Sequence, residues 1–128
     1  SKIISLKRKQ ALYYDELFSD LQDLIQTPQI KYNSSNNHYW VYGILLKKEN
    51  LRDKLINELY ESGIQTREFF WPLHLQNAYL KNNSNKINLK NSEYLGRNGL
   101  YIPIGKHVNK KTQKFVVEKI YNILKIKQ

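Results

Sequence analysis

Apolar positions in the first two dozen residues recur at helical spacing. Leu6, Tyr13, Leu17, Leu21 and Leu24 lie seven, four, four and three residues apart. That spacing predicts an amphipathic helix from Ile3 to about Leu24 with those side chains on its buried face. Lys7, Arg8 and Asp15 fall toward the other side. Thr27-Pro28 ends the element, because proline pushes its predecessor out of the α region. "NSSNN" (33–37) is polar and predicts a loop. "HYWVYGILLKK" (38–48) then runs almost unbroken in aromatic, β-branched and aliphatic residues. Such a run predicts a strand covered on both faces and places Tyr39 and Trp40 in the core. A second helix carries Leu51, Leu55 and Leu59 as its stripe, with Asn50 as N-cap and Asp53 completing a capping box. Gly63 supplies the left-handed residue that closes it.

An extended pattern resumes from Ile64 to Phe69 and breaks at Trp71-Pro72, with a loop or short turn from Leu73 to Tyr79. "LKNNSNKINLKN" (80–91) reads as an exposed, mobile loop. A short helix from Asn91 turns Tyr94 and Leu95 inward and stops at Gly99. "LYIPI" (100–104) is a brief strand that Pro103 either ends or confines to an edge. Asn109 caps a last helix whose stripe is Val116, Ile120, Ile123 and Leu124. The expected fold is α/β of the α+β type. It is a two-layer sandwich in which a small, mainly antiparallel sheet of about three strands packs against helices.

Length adds little to this picture: 128 residues suit one ordinary domain. The absence of cysteine excludes disulfides and thiolate chemistry. The longest apolar run is far shorter than the ~20 residues of a bilayer helix, and a cytoplasmic location is the default expectation. The chain contains no methionine and opens "SKII", which reads as a piece of a longer protein. The net charge of +10 raises the question of nucleic acid. Lysine carries most of it, and Arg8, Arg52, Arg67 and Arg97 are the only arginines. Readers of bases and phosphates favour the arginine fork, so no nucleic-acid partner is expected. A non-catalytic basic module for nucleic acid or an acidic partner stays as the alternative reading. Steep loss of affinity between ~50 and ~200 mM salt would mark it.

The chemistry-bearing residues do not assemble a catalytic apparatus. His38, His74 and His107 have no metal-ligand spacing, and the five glycines match no phosphate-cradling fingerprint. No catalytic, cofactor-binding or metal-binding residue is assigned. One stretch stands apart: "GIQTREFFWPLHLQ" (63–76) gathers Phe69, Phe70 and Trp71 beside Arg67 and His74. Three adjacent aromatics would bury roughly 150–250 Å² each, and apolar patches of that size mark interfaces or ligand grooves. Aromatic walls with a few placed donors suit a sugar-nucleotide pocket.

With Gly63-Ile64-Gln65-Thr66-Arg67, Phe69-Phe70-Trp71-Pro72-Leu73-His74 and Gln76, the chain resembles the C-terminal small domain of the DegT-type sugar-nucleotide aminotransferases. His38-Tyr39-Trp40 and Gly99-Leu100-Tyr101-Ile102-Pro103 support the resemblance, and "KRKQALYYDELF" (7–18) is similar to the family's connecting helix. The Arg-Phe-Phe-Trp-Pro-Leu-His form is most similar to perosamine synthetases. The resemblance implies the small domain of a fold-type I aminotransferase, with 1–28 as the connecting helix from a large domain and 29–128 as the small domain. It implies a homodimeric enzyme that uses pyridoxal phosphate (PLP) to move an amino group, usually from glutamate, to a 4-keto-6-deoxyhexose nucleotide. The Schiff-base lysine and the other cofactor motifs belong to the large domain. The chain by itself is therefore expected to bind no cofactor and to be inactive. Arg67, Phe69, Phe70, Trp71 and His74 are the substrate-binding residues that the resemblance implies.

Overall fold

The computed structural model describes residues 1–80 and 87–125. Helix α1 spans Lys2–Leu17 and is followed by a single 3-10 turn at Ser19–Leu21. Short strands β1 (Ile25–Gln26), β2 (Lys31–Tyr32) and β3 (Ser35–Asn36) precede the longer β4 (Tyr42–Leu46). Helix α2 (Arg52–Glu61), strand β5 (Arg67–Glu68), a 3-10 turn at Leu73–Leu75 and helix α3 (Asn77–Leu80) follow. Helix α4 (Lys90–Asn98), strand β6 (Gly99–Ile102) and helix α5 (Lys110–Lys125) complete the described chain. The sheet is antiparallel throughout, ordered β1-β4-β6-β5, and β2 and β3 form a separate hairpin.

Side chains alternate across a strand, and this sheet uses one face for the core. Tyr42, Ile44 and Leu46 of β4 and Leu100 and Ile102 of β6 are buried with Tyr14, Phe18, Leu55, Leu59, Val116 and Ile120 from the helices. The expected two-layer architecture is present, with four strands in the sheet instead of three. The extra strand is β1, whose Ile25 opposes Leu46. Thr27-Pro28 thus terminates a two-residue strand. The helix itself stops ten residues earlier, at Leu17.

Several local expectations are corrected. The buried face of α1 is Gln10, Ala11 and Tyr14 and continues into Phe18, whereas Leu6 is exposed. Docking follows the bulky rings: Tyr14 and Tyr42 have centroids 4.9 Å apart, and Phe18 stacks on both. Trp40 is not a core residue; it is 72% exposed while Tyr39 is buried. Tyr39 has a positive φ of 52°, which breaks the extended run and removes Trp40 from the strand's alternation. Asn50 does not cap α2. It too is left-handed (φ 62°), and the cap position falls on Leu51 with no side-chain hydrogen bond. Leu95 points outward, and the buried positions of α4 are Gly96 and Asn98. The polar "NSSNN" stretch turns the β2–β3 hairpin, with Asn33 at φ 52°. Of the polar 80–91 segment, residues 81–86 lie outside the described residues.

Other local expectations match. Gly63 at φ 77° closes α2 with its N–H on the Tyr60 carbonyl, while the Ile64 N–H reaches the Leu59 carbonyl. That pair of bonds is the Schellman motif, which only a residue free to adopt positive φ completes at low cost. Asn109 caps α5, accepting from the Thr112 N–H at 2.9 Å. Gln10 was not foreseen as a core residue. Its side chain bonds both ways with Gly105 and donates to Val108, while Gln113 donates to its carbonyl. It locks α1 to the start of α5.

Candidate functional site

The second face of the sheet builds the site. In antiparallel pairs, directly opposed residues share a face, and Gly43, Tyr101 and Arg67 form one row across β4, β6 and β5. Two glycines leave this face flat, and the Phe69 ring lies in the space. A Cβ added at Gly43 would come within 2.8 Å of that ring, and one at Gly99 within 2.3 Å. Phe69 stacks on Tyr101 with centroids 4.6 Å apart, and Phe70 meets the edge of Tyr101 at 6.3 Å. Phe69 is half-buried and serves as the platform. Phe70 is 75% exposed and Trp71 43%.

The chain turns at Pro72, which is buried against Gly96 of α4, where a Cβ would meet its ring at 2.7 Å. The Trp71 indole N–H reaches the Leu75 carbonyl at 3.4 Å across the turn. His74 then fastens the turn to α4: its Nε2 lies 3.0 Å from a Glu93 carboxylate oxygen, and Arg97 reaches the other oxygen at 3.2 Å. The His74 hydrogen bond is the main cause that holds the Glu93 carboxyl below the usual carboxylate range. Beneath the turn, Arg52 of α2 is buried, donates to the Gly96 carbonyl and lies 2.8 Å from Asp53 and 3.5 Å from Glu68.

The five residues singled out in the sequence therefore divide. Phe70 and Trp71 present open ring surface beside the Phe69–Tyr101 stack. The Arg67 side chain is exposed and has no hydrogen-bond or ion-pair partner among the described residues. An open cleft of about 750 Å³ begins beside it, with Trp40, Tyr101, His107 and Phe115 on its walls. His74 is internal, with a side chain only 8% exposed. Tyr101, Glu93, Arg97 and Arg52 escaped sequence reasoning. The Phe69–Tyr101 stack depends on strand register, and the His74–Glu93 pair on a contact across nineteen residues.

The sequence profile of the DegT/DnrJ/EryC1/StrS aminotransferase family matches residues 1–121. The chain belongs to this family. Among curated proteins, one from Geobacillus stearothermophilus called pleiotropic regulatory protein is 29% identical over 116 residues, covering 89% of this chain and 30% of that protein. The GDP-4-keto-6-deoxy-D-mannose 3-dehydratase of Escherichia coli O55:H7 is 27% identical over 110 residues, 79% of this chain and 26% of that enzyme. Among solved structures, the aminotransferase TlmJ from Streptoalloteichus hindustanus matches 99% of this chain with a TM-score of 0.86 at 21% identity. Helicobacter pylori PseC, an aminotransferase of pseudaminic acid biosynthesis, matches 97% with a TM-score of 0.81 at 18% identity. The chain spans about a third or less of each of these proteins. The likeness in structure establishes a shared fold.

The DegT-family aminotransferases use PLP, which needs an enclosed lysine and a carboxylate for its ring nitrogen. Here every described lysine is exposed or half-buried. The lysine–carboxylate pair Lys114–Glu118, at 3.9 Å, lies in solvent on α5. These residues do not fit the cofactor, and no chemical step is assigned to it on this chain.

Proposed function

We propose that this chain is the C-terminal small domain of a sugar-nucleotide aminotransferase, and that the ring-lined face of its sheet covers the mouth of the active site. The observation that carries this reading is the pair of open rings: Phe70, edge-on to the Phe69–Tyr101 stack, and Trp71, which follows it in the chain, with the partnerless Arg67 side chain on the strand beside Tyr101. The family match over residues 1–121 supports it. Residues 1–28 lead from a large domain that supplies the cofactor and its lysine. The complete enzyme is a cytoplasmic homodimer that takes its amino group from glutamate.

Each side chain has a place in this reading. Phe70 and Trp71 offer flat apolar surface to a deoxysugar ring, whose C–H bonds and 6-methyl group would otherwise face water. Arg67 offers a guanidinium fork, which suits the diphosphate of a nucleotide sugar. Phe69 sets the height of the platform, and His74 is a polar contact at its far end. Closure that expels water strengthens each charged contact. The substrate is a 4-keto-6-deoxyhexose nucleotide, as in perosamine synthesis. The name of the Escherichia coli relative, a GDP-4-keto-6-deoxy-D-mannose 3-dehydratase, supports that substrate class.

That relative also supplies the decisive alternative chemistry. The complete enzyme, given a nucleotide-linked 4-keto-6-deoxyhexose and glutamate, is expected to yield the 4-amino sugar and 2-oxoglutarate in equal amounts. A product that has lost water at C3 and gained no nitrogen would replace aminotransfer with dehydration. Turnover of neither kind would remove this substrate class.

A further inference from the structure

Glu93 is nineteen residues from His74 in sequence, yet its carboxylate oxygen sits 3.0 Å from His74 Nε2. The contact is enclosed on the histidine side, where the side chain is 8% exposed, and partly open at Glu93, at 19%. Arg97, one helical turn along α4, reaches the other carboxylate oxygen at 3.2 Å. This arrangement fixes three things together. The carboxyl is held below its ordinary range, chiefly by the histidine bond, so it is ionised near neutral pH. An ionised carboxylate only accepts, so the proton of this bond must sit on Nε2. The second ring nitrogen, Nδ1, has no partner among the described residues.

We propose that Glu93 is a positioning residue: it fixes the tautomer and ring orientation of His74 so that Nδ1 is presented to the sugar nucleotide. The proposal rests on the reading of His74 as a substrate contact. Arg97 completes the arrangement by holding the carboxylate from its other side, in the way outer partners orient the histidines of many polar sites. A bond that only fastened the turn would not require a charged acceptor. Pro72 against Gly96 already fastens it.

Two measurements test this. In the 128-residue chain, nitrogen-15 correlation spectra of His74 are expected to show Nε2 carrying the proton of the neutral ring. In Glu93→Gln, whose amide can both donate and accept, both tautomers should appear. In the complete enzyme, Glu93→Gln should raise KM for the keto-sugar nucleotide about tenfold, leave kcat nearly unchanged and leave the thermal midpoint within a few degrees. His74→Gln should cost at least as much, and the double variant no more than His74→Gln. If His74→Gln is impaired while Glu93→Gln matches wild type, the positioning role is overturned and the site reading stands. If His74→Gln itself matches wild type, His74 leaves the site and the proposal falls with it. An Nδ1-protonated ring in the wild-type chain would also overturn it.

Discussion

At the scale of single residues, the site depends on what is missing from Gly43 and Gly99 as much as on the rings. Gly99 has φ −93°, an extended conformation open to any residue, so its requirement is steric alone. Gly99→Ala is therefore expected to push Phe69 off Tyr101 and to destabilise the fold by about 1–3 kcal/mol, the range for overpacking. Chemical denaturation checks the loss, and an unchanged midpoint would mean the ring has room to move. Neither glycine announces this role in the sequence, because the partner ring arrives from another strand. Glu93 gives a second residue-level prediction with a definite sign. A carboxyl whose folded-state pKa is lowered adds stability above its unfolded value, and that stability fades as pH falls through the folded value. Below about pH 4, wild-type stability should fall more steeply than that of Glu93→Gln. Parallel curves would show that the His74 bond contributes nothing to the fold.

At the scale of elements, caps and stops were legible only where the chain obeyed local rules. Asn109 and Gly63 sit in segments whose ends are set by their own backbone bonds, and both acted as their residue types predict. Asn50 satisfied the same cap rule in sequence, yet its left-handed backbone serves the tight turn between β4 and α2 instead. The two asparagines should therefore separate under mutation. Asn109→Ala is expected to cost about 1 kcal/mol, while Asn50→Gly should leave stability unchanged or raise it, since glycine adopts positive φ freely. Equal losses at both positions would restore the cap at Asn50. The first helix departs from its pattern for a related reason. Leu17, Leu21 and Leu24 pack on the core as their spacing predicts, but Leu6 does not, because docking is set by the larger Tyr14 and Phe18 rings against Tyr42. The second strand of the sheet failed at Trp40, where one left-handed residue reset the alternation. Periodicity could show that the elements exist, but not which residue would bend the backbone between them.

At the scale of the whole molecule, the order of helices and strands was legible because each apolar stripe must be buried against another, and few arrangements of so short a chain achieve that. The site was half legible. The cluster of rings and charges could be found in one stretch, but its platform and its His74 anchor come from β6 and α4. A chain of this architecture with no fitting lysine among its described residues is expected to take up no PLP. Mixing the two and reducing with borohydride should leave no single lysine stoichiometrically labelled, and one labelled position would contradict this. The central claim is that the open rings and Arg67 cover a sugar nucleotide in the complete enzyme. Arg67→Ala tests it most directly, because the Arg67 side chain has no partner among the described residues that the change would orphan. The account predicts a raised KM for the keto-sugar nucleotide with an unaltered thermal midpoint, and wild-type KM and kcat in that variant would contradict it.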